Sequence, residues 1–202
     1  MFFNFIKIPT YIFFISLFQN QLLAQKIVWE QIQIPAEKTN SNGLESLIMW
    51  PDTKGKHPLT LITHGTPRNH EEIPKRTAML FFAQAVEFAR RGFGVAVVMR
   101  KGFGHSGGGL SRYLNDSCTS PPYLLRTKKA SNDLKEAISY LSSMPQFDTS
   151  KTIVIGVSTG GLAILGLTAF PPEPKDAVVV AGVNFAGGSG SYSNGRICGL
   201  MN

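Results

Sequence analysis

Four short stretches of this chain carry no charge and are rich in valine and isoleucine: Pro58 to Thr63, Gly94 to Val98, Thr152 to Val157 and Ala177 to Phe185. A strand with one wet face alternates apolar with polar residues, and these do not, so they are predicted to be strands covered on both faces. Segments with helical spacing separate them. In "KRTAMLFFAQAVEFARRG", Phe81, Ala85 and Phe88 fall at i, i+4 and i+7, and Gly92 supplies the stop. Leu134, Ile138 and Leu141 share one face before Pro145, and "STGGLAILGLTAF" is closed by Pro171 and Pro172. Strands that alternate with helices in this way predict an α/β fold with a mostly parallel, doubly wound sheet of about six strands. Upstream, "KIVWEQIQIP" and "LESLIMWPD" flank the turn-rich "AEKTNSNG" and read as an antiparallel opening pair.

The 202 residues are 43% hydrophobic and 16% charged, which suits one globular domain after a leader. Residues 1–24 have Lys7 as their sole charge, an apolar run from Tyr11 to Phe18 and a small Ala24 for cleavage, the pattern of a signal peptide. The run is too short for the roughly 20 apolar residues a bilayer demands, so export is expected, to periplasm or medium, with no stable membrane insertion after the leader is removed. Residues 25–202 are then the folded domain. The net charge of +7 is scattered, without the aromatic-interleaved basic stripe of a nucleic-acid surface, and no nucleic-acid partner is expected. Cys118 and Cys198 form no C-x-x-C or Cys/His cluster, so neither a metal nor another cofactor is expected. In an exported chain the two cysteines are either a bridge or two thiols.

Gly156-Val157-Ser158-Thr159-Gly160 matches G-x-S-x-G between a predicted strand and a predicted helix. In that context the glycines allow a sharp turn that holds a serine hydroxyl out at the top of the sheet, as a nucleophile requires. The helix that follows brings free N–H groups and its dipole to the same point. The second donor for a developing oxyanion should come from Thr63-His64-Gly65-Thr66-Pro67 after the third strand, where Pro67 has no N–H to give. The expected donors are the backbone N–H groups of Thr66 and Thr159, with His64 ordering the loop rather than serving as base.

Taken in order, His64-Gly65, "RKGFGHSGG" from Arg100 to Gly108, "GVSTGG" and "VNFAGG" from Val183 to Gly188 resemble the α/β-hydrolase superfamily. Within it the chain is most similar to dienelactone-hydrolase-like and exported prolyl-oligopeptidase-like serine hydrolases, over about Leu44 to Cys198. The resemblance implies a Ser-His-Asp triad acting on small esters or related acyl compounds. It also implies a disulfide between Cys118 and Cys198, whose places match a recurring pair in exported relatives.

The family's order of Ser, then Asp or Glu, then His raises a difficulty. No histidine follows Ser158, and the acids after it, Glu173 and Asp176, precede the sixth predicted strand and so fall at the wrong end of the sheet. His105 lies at the right end, but its glycine-flanked position suits loop shape or substrate contact. The sixth strand reads as one buried on both faces and paired on both edges. The expectation is therefore an incomplete, C-terminally truncated hydrolase fold lacking its last two strands, with the triad Asp and His absent and activity impaired. Two alternatives stand beside it: a non-catalytic remnant or binding module, and a serine peptidase or acyltransferase of the same fold.

Overall fold

A computed structural model describes residues 26–67, 69–110, 123–173, 175–187, 191–193 and 196–198. The expected leader and Cys118 lie outside the described residues. Six strands form one sheet: β1 (Ile27–Ile34), β2 (Leu44–Pro51), β3 (His57–Thr63), β4 (Gly94–Val98), β5 (Phe147–Val157) and β6 (Val179–Phe185), in the spatial order β1-β2-β4-β3-β5-β6. β4, β3, β5 and β6 pair in parallel, while β2 runs antiparallel to both β1 and β4. The opening pair is thus a true antiparallel pair, and β2 alone runs against the rest.

Alternation along each strand sends side chains into two separate cores. Ala96 and Val98 of β4, Leu59 and Leu61 of β3 and Val154 of β5 face α2 (Tyr123–Ser142) and α3 (Thr159–Ala169), where they meet Leu134, Ile138, Leu141, Ile164 and Leu167. Val95 and Val97, Leu47 and Met49 of β2, and Ile62 face α1 (Phe82–Ala89), where they meet Ala85 and Ala89. Each fully buried aliphatic side chain contributes about 1.5–3 kcal/mol of transfer free energy, so covering both faces explains why these strands tolerate no charge. α2 and α3 cross closely at Gly166, where any Cβ would collide with the Thr127 carbonyl.

Three features depart from the sequence reading. The expected helix after Pro74 opens as a 3₁₀ turn at Ala78–Phe81, whose first N–H donates to the Glu45 carboxylate at 2.8 Å, and becomes α-helical only at Phe82. Beyond β6, where no further strand was expected, a small ladder pairs β7 (Ser191–Ser193) with β8 (Arg196–Cys198). The third is β6, which was expected to be buried on both faces. It is the outer strand of the described sheet, and every residue from Val180 to Phe185 is exposed.

Candidate active site

Ser158 sits between the last residue of β5 and the first of α3, at φ 53° and ψ −120°. A side chain there crowds its own backbone, and holding it costs on the order of 1–3 kcal/mol. The turn is forced by contacts on each side. A Cβ at Gly156 would run into the Gly160 carbonyl, and one at Gly160 would lie 2.5 Å from the His64 carbonyl oxygen. Only glycine lets the first turn of α3 fold back over β5 while the loop after β3 crosses it. Ser158 donates its N–H to Phe185 of β6 at 2.8 Å, and its carbonyl accepts from Leu162 at 3.1 Å. The side chain itself stays exposed.

The loop after β3 lies directly against this turn. A Cβ at Gly65 would fall 2.9 Å from Ser158 Cβ, so the two backbones touch. His64 is fully buried, its ring 4.3 Å from that of Phe103. Its Nε2 accepts the Arg100 backbone N–H at 3.0 Å, which leaves the proton on Nδ1 to be donated to the Gly65 carbonyl at 2.9 Å. Burial, and then the Arg100 charge, hold this imidazole well below the usual histidine range, so it is neutral. In a trans peptide the C=O and the following N–H point opposite ways. Tying the Gly65 carbonyl to the imidazole therefore turns the Thr66 N–H away from His64. His64 acts on the loop and has no free ring nitrogen with which to take a proton.

Thr66 and Thr159, the two expected oxyanion donors, are brought together: their hydroxyls share a hydrogen bond of 2.9 Å. As the first residue of α3, Thr159 has an N–H without an intrahelical acceptor. Arg100 ties Thr159 to the loop after β3. Its Nη2 donates to the His64 carbonyl at 2.9 Å and to Thr159 Oγ1 at 2.9 Å, and Nη1 to the Thr159 carbonyl at 3.4 Å. Sequence reasoning included Arg100 in a motif but gave it no role, because its partners lie 36 and 59 positions away. It also missed Asn184, whose amide closes a turn onto Gly187 and whose Oδ1 occupies the place a Gly161 Cβ would take.

His105 belongs elsewhere. Its backbone N–H and Nδ1 both address Glu45 Oε2, at 2.7 and 3.1 Å, on β2. Three inter-strand spacings separate β2 from β5, about 14 Å, so the contact that holds His105 is made away from the strand that carries Ser158. Asp176 and Glu173 lead into β6 at the end opposite Ser158, as expected. Among the described residues no group of three His, Cys, Asp or Glu could hold a metal ion, and no helix is long and apolar enough to cross a membrane.

No family model matches the sequence, and no curated protein resembles it closely enough to pair with it. Solved structures do match. An aminopeptidase from the marine sediment archaeon Thaumarchaeota archaeon superposes with a TM-score of 0.55 at 19% identity, over 87% of this chain and 28% of its own. A dienelactone hydrolase-like promiscuous phosphotriesterase from metagenomic libraries gives 0.55 at 18% identity, over 84% and 63%. A putative dienelactone hydrolase from Klebsiella pneumoniae gives 0.50 at 12%, over 86% and 67%. The architecture is that of the α/β-hydrolases, with a mixed six-stranded sheet. The chain spans less than a third of the aminopeptidase and about two thirds of the dienelactone-hydrolase-like proteins.

Proposed function

We propose that this chain carries the nucleophile and the oxyanion hole of an exported serine hydrolase acting on small esters or related acyl compounds. The reading rests above all on Ser158, a non-glycine residue at positive φ on a strand-to-helix turn, with Gly65 packed against it. Ser158 Oγ attacks the acyl carbon while a base takes its proton. The carbonyl electrons move onto oxygen, where the N–H groups of Thr66 and Thr159 receive the charge. Collapse of the adduct expels the alcohol, which recovers the proton, and water releases the acid by the same route. A positioned donor of this kind contributes about 100–1,000-fold to turnover.

The acid and base of the triad are assigned to strands that would add to the outer edge of β6. Phe185, at the end of β6, already accepts the Ser158 N–H, so a loop leaving the next parallel strand would open beside the serine. The parent protein that includes such strands is expected to hydrolyse a short-chain aryl ester and to lose that activity in Ser158→Ala. Undiminished turnover in the mutant would overturn the assignment. For the 202 residues alone, labelling with a fluorophosphonate separates two states: rapid reaction confined to Ser158 means an activated serine, and none means that this portion is inert by itself. The Cys118–Cys198 bridge belongs to the same proposal, and two titratable thiols in unreduced, denatured protein would exclude it.

A further inference from the structure

Arg100 is 5% exposed, and its guanidinium touches both elements that the proposed chemistry needs. One nitrogen, Nη2, serves the His64 carbonyl and the Thr159 hydroxyl together, and Nη1 turns to the Thr159 carbonyl. The backbone N–H of the same residue fixes the His64 ring, which in turn fixes the Gly65 peptide. Phe103 lies under the guanidinium, 5.6 Å from its centre. The Thr66–Thr159 hydroxyl pair and the packing of Gly65 on Ser158 also join the loop after β3 to the first turn of α3.

We propose that Arg100 is the positioning residue of the oxyanion hole, a buried clamp that sets the Thr66 N–H and the Thr159 N–H at a fixed spacing before substrate arrives. The proposal rests on the serine hydrolase reading and adds the group that preorganises its site. A planar fork of fixed donors can bridge a carbonyl on one element and a hydroxyl on another. A lysine ammonium at the end of a flexible stem cannot hold both in one geometry. Because the clamp touches no substrate atom, its loss should spare binding of the neutral ester and weaken the charged transition state, which alone draws on both N–H groups at once.

Two measurements decide it. In the 202-residue chain, amide hydrogen exchange is compared between wild type, Arg100→Met, Arg100→Lys and the control Lys101→Met. Lys101, the next residue, pairs with Asp133 and Glu136 on α2 instead. Arg100→Met is expected to raise exchange tenfold or more in residues 63–67 and 158–162 together, with β1 and β2 unchanged, and Arg100→Lys to restore one segment at most. In the parent enzyme, Arg100→Met is expected to lower kcat for a short-chain aryl ester 30-fold or more while KM changes less than threefold. Arg100→Lys should fall between, and Lys101→Met should match wild type. Unchanged exchange in either segment overturns the clamp, as does a loss expressed in KM. If Arg100→Met does not fold, Thr159→Val breaks the shared hydroxyl link and must loosen residues 63–67 for the proposal to stand. A wild-type parent with no esterase activity overturns the hydrolase reading, and the exchange arm then judges the clamp by itself.

Discussion

The corner where β5 meets α3 and the outer edge of β6 lie side by side, yet they obey opposite rules. At the corner, polar groups are buried and tied: His64, Arg100 and Thr63 are each less than a tenth exposed, and each has defined partners. Along β6, apolar groups are exposed, with Val180 at 57% and Phe185 at 56%. Buried polar groups are costly unless satisfied, so the corner must be built to close tolerances. Exposed valines on a strand edge cost little in the folded state but leave an edge that invites pairing. The difference teaches that the corner is held by specific polar partners, while β6 has the composition of a strand with neighbours on all sides.

Substituting glycines at the two places should give the widest contrast. Gly160→Ala drives a Cβ to 2.5 Å from the His64 carbonyl and is expected to cost about 3 kcal/mol in urea unfolding. Gly182→Ala on β6 meets the Thr168 methyl at 3.2 Å as its nearest neighbour and should stay within about 1 kcal/mol. Equal costs would erase the distinction.

Acid should attack the corner before anything else. The His64 imidazole is held well below its ordinary value of 6.5 in the fold, so as pH falls through 6.5 the unfolded chain binds the proton first. The contribution of neutral His64 is thus full above 6.5 and is lost below it, at up to about 1.4 kcal/mol per pH unit. Asp148 and Glu87, whose carboxyls are pulled below their usual values by Ser150 and by Arg91, act in the same direction but only in more acidic solution. Unfolding free energies between pH 7 and 5.5 should show the slope in wild type, and His64→Gln should flatten it. A slope that survives the substitution assigns it elsewhere.

Ser158→Gly should raise stability by about 1 kcal/mol, because glycine accepts φ 53° without strain. A fall in the unfolding midpoint would mean that the serine side chain contributes more than its backbone costs. The smallest effect is expected on β6. Val180→Lys should shift folding stability by no more than about 0.5 kcal/mol, while reducing concentration-dependent association in sedimentation.

The fold was legible because its strands advertise burial and its helices end on proline or glycine. The Gly156–Gly160 turn was legible because it is local, five consecutive residues between a strand and a helix, and Thr66 was placed beside it because its loop follows the third strand. Arg100 was not, since a buried cation looks like any surface arginine until the two backbone segments it joins are seen to meet. The 3₁₀ opening before α1 was hidden for the same reason: its tie is to Glu45, 33 residues upstream. For β6 the pattern predicted an interior strand and the structure shows an exposed outer one, because apolar composition reports what a strand is suited to touch, and contact depends on what stands beside it.

The strand order carries one more consequence. The chain leaves β3 toward α1, on one side of the sheet, and leaves β5 toward α3, on the other. Where two neighbouring parallel strands send their continuations to opposite sides, their carboxyl ends are the place at which an open α/β sheet can gather a site. His64-Gly65-Thr66 leaves one of these two strands and Ser158-Thr159 the other, and the two segments meet there. The place of the site is thus a property of the winding of the chain, settled before any side chain is chosen to fill it.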